Sequence, residues 1–342
     1  MRVFVYEFAS GGGFYTKPEW GEPAGSLLTE GLAMASSLAT DFQSIEGVDV
    51  TLLADTRLPE IHSPSGAEVW PISSSSQHDQ AMGQASAAGD WTLLIAPETA
   101  GVLEQLARRC EASGIRLLSP PSDFVGQMAD KTNALRLLAT HGISVPVGGR
   151  IECGEELPFV VTFPLVVKPN DGAGSDRICV VHDRSEWRRR AREYGSQPVR
   201  WESLCRGRAA SIAVLGGVSG SVLLPPCYQT LDVEGDFGFL GGRLISEPSE
   251  ARRCEIIAQR VATACGHPVG YWGIDLVLGN DPSGRDDYLI EVNPRLTTSY
   301  VGLRAALTGN LAEMILETAV GGRPAVRLER PGLEFDPTGE LG

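Results

Sequence analysis

Short apolar strands alternate with helical stretches through the first third of this chain, and that alternation narrows its folds more than any other feature. Residues 2–6 are apolar enough for a buried first strand, and Ser10-Gly-Gly-Gly13 turns out of it. A helical pattern runs from Ser26 to Leu38, with Leu27, Leu28, Leu32 and Leu38 among its apolar positions. Val48–Ala54 and Trp91–Ala96 are short apolar strands. Leu103–Ser113 is a helix closed by Gly114, and Ile115–Leu118 is a further strand before Pro120-Pro121. Strands alternating with helices imply a parallel α/β layer over roughly residues 1–120. Between them, Ser73–Ala88 is polar and small, a surface helix or loop.

The second unit is predicted to open with Ser122 as an N-cap and one helix through Leu138 that stops near His141-Gly142. Phe159–Pro169 is a Val-rich strand, Ile178–Val181 another, and Trp187–Tyr194 a basic helix. Further strands are expected at Arg200–Leu204, Ala209–Leu215, Ser221–Leu224, Trp272–Leu278 and Tyr288–Val292, with a helix at Ser249–Cys265. One last helix is expected from Leu303 to Val320, and Arg330–Gly342 as a loosely ordered tail. A length of 342 residues fits two or three packed subdomains rather than one core.

The net charge of −14 argues against a general nucleic-acid or membrane-surface binder. The arginines of 187–194 lack an accompanying aromatic platform and read as a solvated face. Seven scattered cysteines contain no C-x-x-C pair of a zinc or redox site, and most are expected to be buried, reduced, small apolar residues. Met1–Glu7 lacks the long apolar run of a secretory leader, and no segment is long enough to span a bilayer. The expected compartment is the cytoplasm.

Chemistry concentrates in four places. Asp130-Lys131 falls inside the predicted helix. Val166-Val-Lys168-Pro169 runs into Asn170-Asp-Gly-Ala-Gly-Ser175, where Gly172, Ala173, Gly174 and Ser175 would let backbone N–H groups approach phosphate oxygens. Trp201-Glu202-Ser203-Leu204 precedes Gly207 and Ser211. The fourth place is Asp275 together with Glu291, Asn293 and Arg295. The last three alternate along an extended segment and so point to one side. Carboxylate and amide oxygens there suit magnesium, which commonly sits between carboxylates and phosphates. Lys131 and Lys168 can neutralise phosphate charge, and Lys168, at the end of an apolar strand, needs a counter-charge.

Taken in order, these residues resemble the ATP-grasp superfamily of carboxylate–amine ligases, over residues 120–320 with an α/β domain before them. The resemblance implies an ATP-grasp fold of two α+β subdomains enclosing the nucleotide, after an α/β N-terminal domain. The expected divisions are 1–120 for the N-terminal domain, 121–200 for the part with a mobile lid, 201–325 for the metal-bearing part, and 326–342 for the tail. It implies ATP with one or two Mg2+, Mn2+ being the alternative ion. Lys131 and Lys168 would meet phosphates; Glu202, Ser203 and Leu204 would form the adenine hinge, with backbone hydrogen bonds from Glu202 and Leu204. Asp275, Glu291 and Asn293 would hold the metal. Arg295 would stabilise the transferring phosphoryl group, and Lys168 is counted with it as catalytic. Arg208 stands where many relatives carry an acid near the ribose, which puts a carboxylate–ribose contact there in doubt.

Within that superfamily, the chain is most similar to the tyramine–L-glutamate ligase group. The likeness lies in Val3–Gly13, Gly25–Gly31, Phe237–Gly242 and Asn293-Pro-Arg-Leu-Thr-Thr-Ser-Tyr-Val-Gly-Leu303. It implies γ-glutamyltyramine as product, in methanofuran-type cofactor biosynthesis. Ser10, Gly11 and Gly12 could then bind a substrate carboxylate, or form a plain strand–helix turn. Thr297, Thr298, Ser299 and Tyr300 could meet the substrate, or the hydroxyls could cap the next helix. Glu7 could meet an ammonium, or sit at the edge of the core. Small-molecule acids and amines are the expected partners, and the resemblance also allows a homodimer. Two alternatives stay open: a ligase for another pair, such as a dipeptide ligase, and a catalytically silent Mg–ATP-binding module.

Overall fold

The computed structural model describes residues 1–59, 66–172, 177–232 and 237–342. The first region is built from β1 (Arg2–Glu7), α1 (Gly25–Gln43), β2 (Asp49–Asp55), β3 (Glu68–Ile72), α2 (Ser75–Ala88), β4 (Trp91–Ile95) and α3 (Val102–Ala112). Its strands lie in the order β3-β2-β1-β4, all parallel. Val3, Phe4, Val5 and Tyr6 are fully buried, as expected of a central parallel strand covered on both faces. The order reverses between β1 and β4, and ligands of open α/β sheets bind at the carboxyl ends beside such a reversal. Glu7 ends β1, and Glu98 follows β4.

The alternation is present, with two differences. Ile115–Leu118 forms only one bridge, Leu117 to Thr92, and no strand. An edge strand, β3, was not anticipated because Pro71 interrupts its pattern; proline is tolerated there because an edge N–H has no obligatory partner.

The middle region holds α4 (Ser122–Ala129), α5 (Lys131–Thr140), β5 (Gly148–Ile151), β6 (Leu165–Pro169), β7 (Cys179–Val181), α6 (Arg184–Arg190) and β8 (Val199–Ser203). The predicted single helix is two. Asp130 breaks it by accepting the Asn133 N–H at 2.9 Å, and Lys131 becomes the first residue of α5. Ser122 is not a cap: its N–H and hydroxyl both donate to Glu111. The strand expected from Phe159 begins only at Leu165, after Pro164, and Phe159 is exposed. The four strands form an antiparallel sheet, β5-β8-β6-β7, over a core of Ile151, Leu157, Leu165, Val167, Val181, Trp187, Tyr194 and Val199.

The last region holds β9 (Arg208–Gly217), β10 (Gly220–Leu223), β11 (Cys227–Leu231), β12 (Phe239–Leu244), α7 (Pro248–Ala264), β13 (Gly270–Leu278), β14 (Tyr288–Asn293), α8 (Ser299–Ala306), α9 (Leu311–Ala319) and β15 (Glu334–Phe335). Its sheet runs β14-β13-β9-β11-β12-β15, with β10 paired to β9. The long final helix is split. Gly309 takes a positive φ of 93°, and Asn310 restarts the chain as the cap of α9. The tail is not loose at Phe335, which is buried and pairs with β12. A Cβ at Gly242 or Gly302 would collide with the Phe335 ring, so both must be glycine for the tail to dock. Among the described residues, no helix is long and apolar enough to cross a membrane.

One apolar cluster joins Val3, Val5, Leu38 and Phe42 of the first region to Leu215, Tyr300, Leu311 and Phe335 of the last. The first and last regions therefore share a core, whereas the middle sheet has its own.

Candidate active site

A cavity of about 340 Å³ lies between the middle and last sheets and extends to α1. One end is lined by Val166, Lys168, Glu202, Leu204 and Leu276, and the other by Glu30, Arg295, Thr297, Thr298 and Ser299. Asp275, Glu291 and Asn293 line it too.

At the first end, the antiparallel register of β6 and β8 sets Lys168 opposite Arg200 and Val166 opposite Glu202. The Lys168 Nζ then lies 2.8 Å from Glu202, and the Arg200 Nε donates to the same carboxylate at 2.7 Å. This is the counter-charge that Lys168 requires. Burial alone would raise the Glu202 pKa, but Lys168 and Arg200 outweigh it and hold the pKa below the ordinary value. Two cations on one carboxylate leave a net positive charge at the cavity wall, where an anionic ligand would be favoured.

Glu202 lies within β8, flanked by β5 and β6, and its carboxylate rather than its backbone is the feature of note. The Ser203 N–H donates to Val147 at 2.8 Å, and the Leu204 N–H points at Pro164 at 3.5 Å. Both residues line the cavity, with Cys205 beyond them. Arg208 turns away: its guanidinium lies over the Tyr228 ring, 3.6 Å from the centroid, and reaches Glu250.

Across the cavity, β13 and β14 set Asp275 opposite Glu291 and Gly273 opposite Asn293. The Asn293 amide donates to one Asp275 oxygen at 2.8 Å, and Gln229 of β11 donates to the other at 3.1 Å. Burial, then the like charge of Glu291, pushes the Asp275 pKa up to about 6. Two carboxylates forced together are the arrangement that a divalent cation relieves, and their oxygens with an amide oxygen make a hard donor set. A half-turn of the Asn293 amide would present that oxygen. Among the described residues, no cluster of three His, Cys, Asp or Glu side chains could hold a metal, so the rest of a coordination shell would come from ligand or water. The residues fit a magnesium ion on those terms.

Lys131 reaches this point from α5, 3.4 Å from Glu291, and also donates to the Gly172 carbonyl. Gly172 is described; Ala173, Gly174 and Ser175 lie outside the described residues.

Arg295 lies just past β14 and is partly buried. Its Nε is 3.0 Å from one oxygen of Glu98 and hydrogen-bonds the other at 3.2 Å, while Nη1 donates to the Leu296 carbonyl. Thr298 donates to Glu30 of α1. Thr297 and Ser299 are hydrogen-bonded to each other, and both to the Tyr271 hydroxyl. Thr298 occupies the position before α8 but makes no side-chain cap.

Four residues named for the substrate stand outside this cavity. Tyr300 does not line the cavity; it is fully buried, and its hydroxyl donates to Asp41 of α1 at 2.6 Å. Ser10, Gly11 and Gly12 do not reach the cavity either. The N–H groups of Ala9 and Ser10 and the Ser10 hydroxyl donate to Glu7, and the Gly11 N–H donates to the Glu7 carbonyl. That loop is folded on its own acid and is a turn. Glu7 is accordingly a core-edge residue, packed against Gly31.

Glu30 and Gln229 at the cavity, and Glu98 behind Arg295, are polar residues that were not anticipated. Gln229 sits on a strand the sequence did not reveal; Glu30 falls in the segment Gly25–Gly31 quoted for its likeness but was not itself singled out, and Glu98 lies in a stretch read only for its fold.

Comparison with known proteins gives matches along most of the chain. A family model described as ATP-grasp domain matches residues 128–299, and one described as pre ATP-grasp 3 domain matches residues 48–125. Carbamoyl phosphate synthase large chain, C-terminal section, of Methanopyrus kandleri is 23% identical over 240 residues, covering 67% of this chain and 44% of that protein. The chain spans less than half the length of the curated relatives it matches. Among solved structures, an ATP-grasp superfamily protein from Archaeoglobus fulgidus has a TM-score of 0.69 at 20% identity, covering 98% of this chain and 91% of that one. An L-amino acid ligase from Bacillus licheniformis has a TM-score of 0.65 at 16% identity, covering 97% and 78%.

Proposed function

The chain belongs to the ATP-grasp family, and on that premise we propose that it is an ATP-dependent carboxylate–amine ligase. The observation that carries the reading is the single cavity lined by Lys168, Glu202–Leu204, the Asp275–Glu291–Asn293 oxygen set and Arg295. In this reading, a substrate carboxylate attacks the γ-phosphorus of ATP to give an acyl phosphate and ADP. An amine then displaces phosphate to form an amide. Such chemistry depends on positioning and charge neutralisation. Lys168 and Lys131 hold phosphate oxygens, and Lys131 must exchange its Gly172 contact for them. Asp275, Glu291 and Asn293 hold magnesium, which supplies positive charge to the phosphates when bound. Arg295, steadied by Glu98, aims its remaining guanidinium edge at the developing charge.

The acid and amine are L-glutamate, through its γ-carboxylate, and tyramine, giving γ-glutamyltyramine for a methanofuran-type cofactor. The reading rests on the sequence resemblance. It is supported by three of the four resembling segments contributing to one cavity: Glu30 from Gly25–Gly31, Phe237 and Phe239 from Phe237–Gly242, and Arg295 with Thr297–Ser299. The Phe239 ring packs 6.3 Å from that of Phe335, which lies against Gly302 of α8. An apolar wall thus adjoins the polar Thr297–Ser299 segment, as an aryl-alkyl amine requires. The likeness to an L-amino acid ligase favours, as a second reading, an amino acid in place of the amine.

ADP release measured over a matrix of acids and amines tests both. Turnover with glutamate and tyramine supports the first reading, and turnover only with two amino acids replaces it with the second. Mg–ATP binding without product from any pair would make the protein a silent nucleotide-binding module. Glu291→Ala is expected to lower turnover by roughly 100-fold or more while leaving the fold intact; unchanged turnover would remove Glu291 from the site.

A further inference from the structure

Beyond Arg295, the cavity wall includes the carboxylate of Glu30, held in a hydrogen bond by the Thr298 hydroxyl. Among the described residues, no lysine or arginine forms an ion pair with it. The charged groups around it are Arg295, which is engaged by Glu98, and Glu7, whose carboxylate packs on Gly31 next in the helix. Burial raises the proton affinity of Glu30, and the Thr298 hydrogen bond and Arg295 only partly offset this. A carboxylate of this kind, facing a cavity, is suited to a cationic ligand and to taking a proton from it.

We propose that Glu30 receives the amine substrate as its ammonium ion and removes the proton that must leave before nitrogen can attack. This rests on the ligase reading above. Atoms balance as follows. The ammonium gives one proton to Glu30, and its freed lone pair forms the C–N bond at the acyl carbonyl. The C–O bond to phosphate breaks, its electron pair leaving with phosphate. The second proton lost by nitrogen goes to that phosphate, and Glu30 later releases its own to solvent. Other groups nearby are less fit. Glu98 is bound to Arg295, and burial drives the Tyr271 phenol well above the ordinary value. Asp275 and Glu291 belong to the metal end.

The test compares two nucleophiles in wild type and Glu30→Gln. The acid–amine pair is the one that releases ADP fastest, starting with L-glutamate and tyramine. Hydroxylamine, largely uncharged at neutral pH, replaces the amine in the parallel assay and traps the acyl phosphate as a hydroxamate without needing a base. Amide formation is expected to fall about 100-fold in Glu30→Gln, and hydroxamate formation far less. Raising the pH toward the amine's own pKa should restore the variant more than the wild type, because free amine then replaces the missing base. Thr298→Val, which keeps the carboxylate but frees it, should show the same selectivity with a smaller loss. Equal losses in the two assays, or no recovery at high pH, would overturn the assignment. Failure of the wild type to form hydroxamate with any acid would instead overturn the ligase reading itself.

Discussion

Lys168, Arg200 and Glu202 make a group of three in which the positions are not equivalent. Removing Glu202 leaves two buried cations facing each other, whereas removing Lys168 leaves Arg200 and Glu202 as a complete pair. Glu202→Gln is therefore expected to lower the unfolding free energy by about 3–5 kcal/mol, and Lys168→Met by clearly less. Urea titrations followed by circular dichroism would measure both. Activity should not follow that order, since Lys168→Met removes a charge meant for phosphate. Cys205 gives a second expectation at this scale. It lines the cavity, yet burial and then Glu202 push its thiol up to about 12. Only the thiolate alkylates readily, and at pH 8 that form would be about one part in ten thousand. Iodoacetamide at pH 8 should label exposed Cys153 first and leave Cys205 largely unmodified, as read by peptide mass spectrometry. Rapid labelling of Cys205 would contradict its raised thiol pKa.

Helices α1 and α8 are joined twice along their length. Glu30 meets Thr298 near their beginnings, and Asp41 receives Tyr300 and Arg304 further on. The Asn310 amide, just before α9, also donates to the Asp41 carbonyl. Tyr300→Phe removes a hydrogen bond to a buried carboxylate, so stability should fall by roughly 1.5–3 kcal/mol. The KM for the amine should change little, because Tyr300 does not face the cavity. A large rise in KM with unchanged stability would return Tyr300 to the substrate.

The same elements indicate how far the sequence could be read. Glu291 and Asn293 were legible because alternation along a strand is a period-2 signal, and Asp275 because it sits on the neighbouring apolar strand; Arg295, read as continuing that alternation, lies beyond the strand's end, where the chain bends. Lys131 was found, but its setting was not, since a helix pattern runs unbroken across Asp130. The strand β12 was hidden by Gly241-Gly242, which are there for Phe335 and lower any strand signal. Glu30 was not legible as a site residue: a polar side chain on an amphipathic helix looks the same whether it faces water or another region. Tyr300 shows the converse, an aromatic residue beside a polar run whose hydroxyl is taken up by a helix far away in the sequence.

On the scale of the whole molecule, two cores of different membership set what can move. The cluster joining Val3 and Phe42 to Leu215 and Tyr300 binds the first and last regions into one cooperative body. The middle sheet's cluster, from Ile151 to Val199, draws only on its own residues. Small separate cores open at lower free energy than the global transition. Hydrogen exchange should therefore show β5, β6, β7 and β8 exchanging together and faster than β1, β9 and β13. Mg–ATP should slow the first group most, since Lys168 and Glu202 would be held by the ligand. Uniform protection across all three sheets would refute the division.

The turn from Glu98 to Ala100 touches both bodies. Glu98 steadies Arg295, and two residues later the Ala100 N–H points at Asp171, beside the glycine loop that follows β6, at 3.4 Å. Asp171 is held in turn by Gln197 at 2.8 Å. Asp171 and Arg295 thus share a mooring only three residues long. Inserting or deleting one residue there would misalign both at once, so this short turn, though remote from the nucleotide in sequence, is a place where the chain's length is not free to drift.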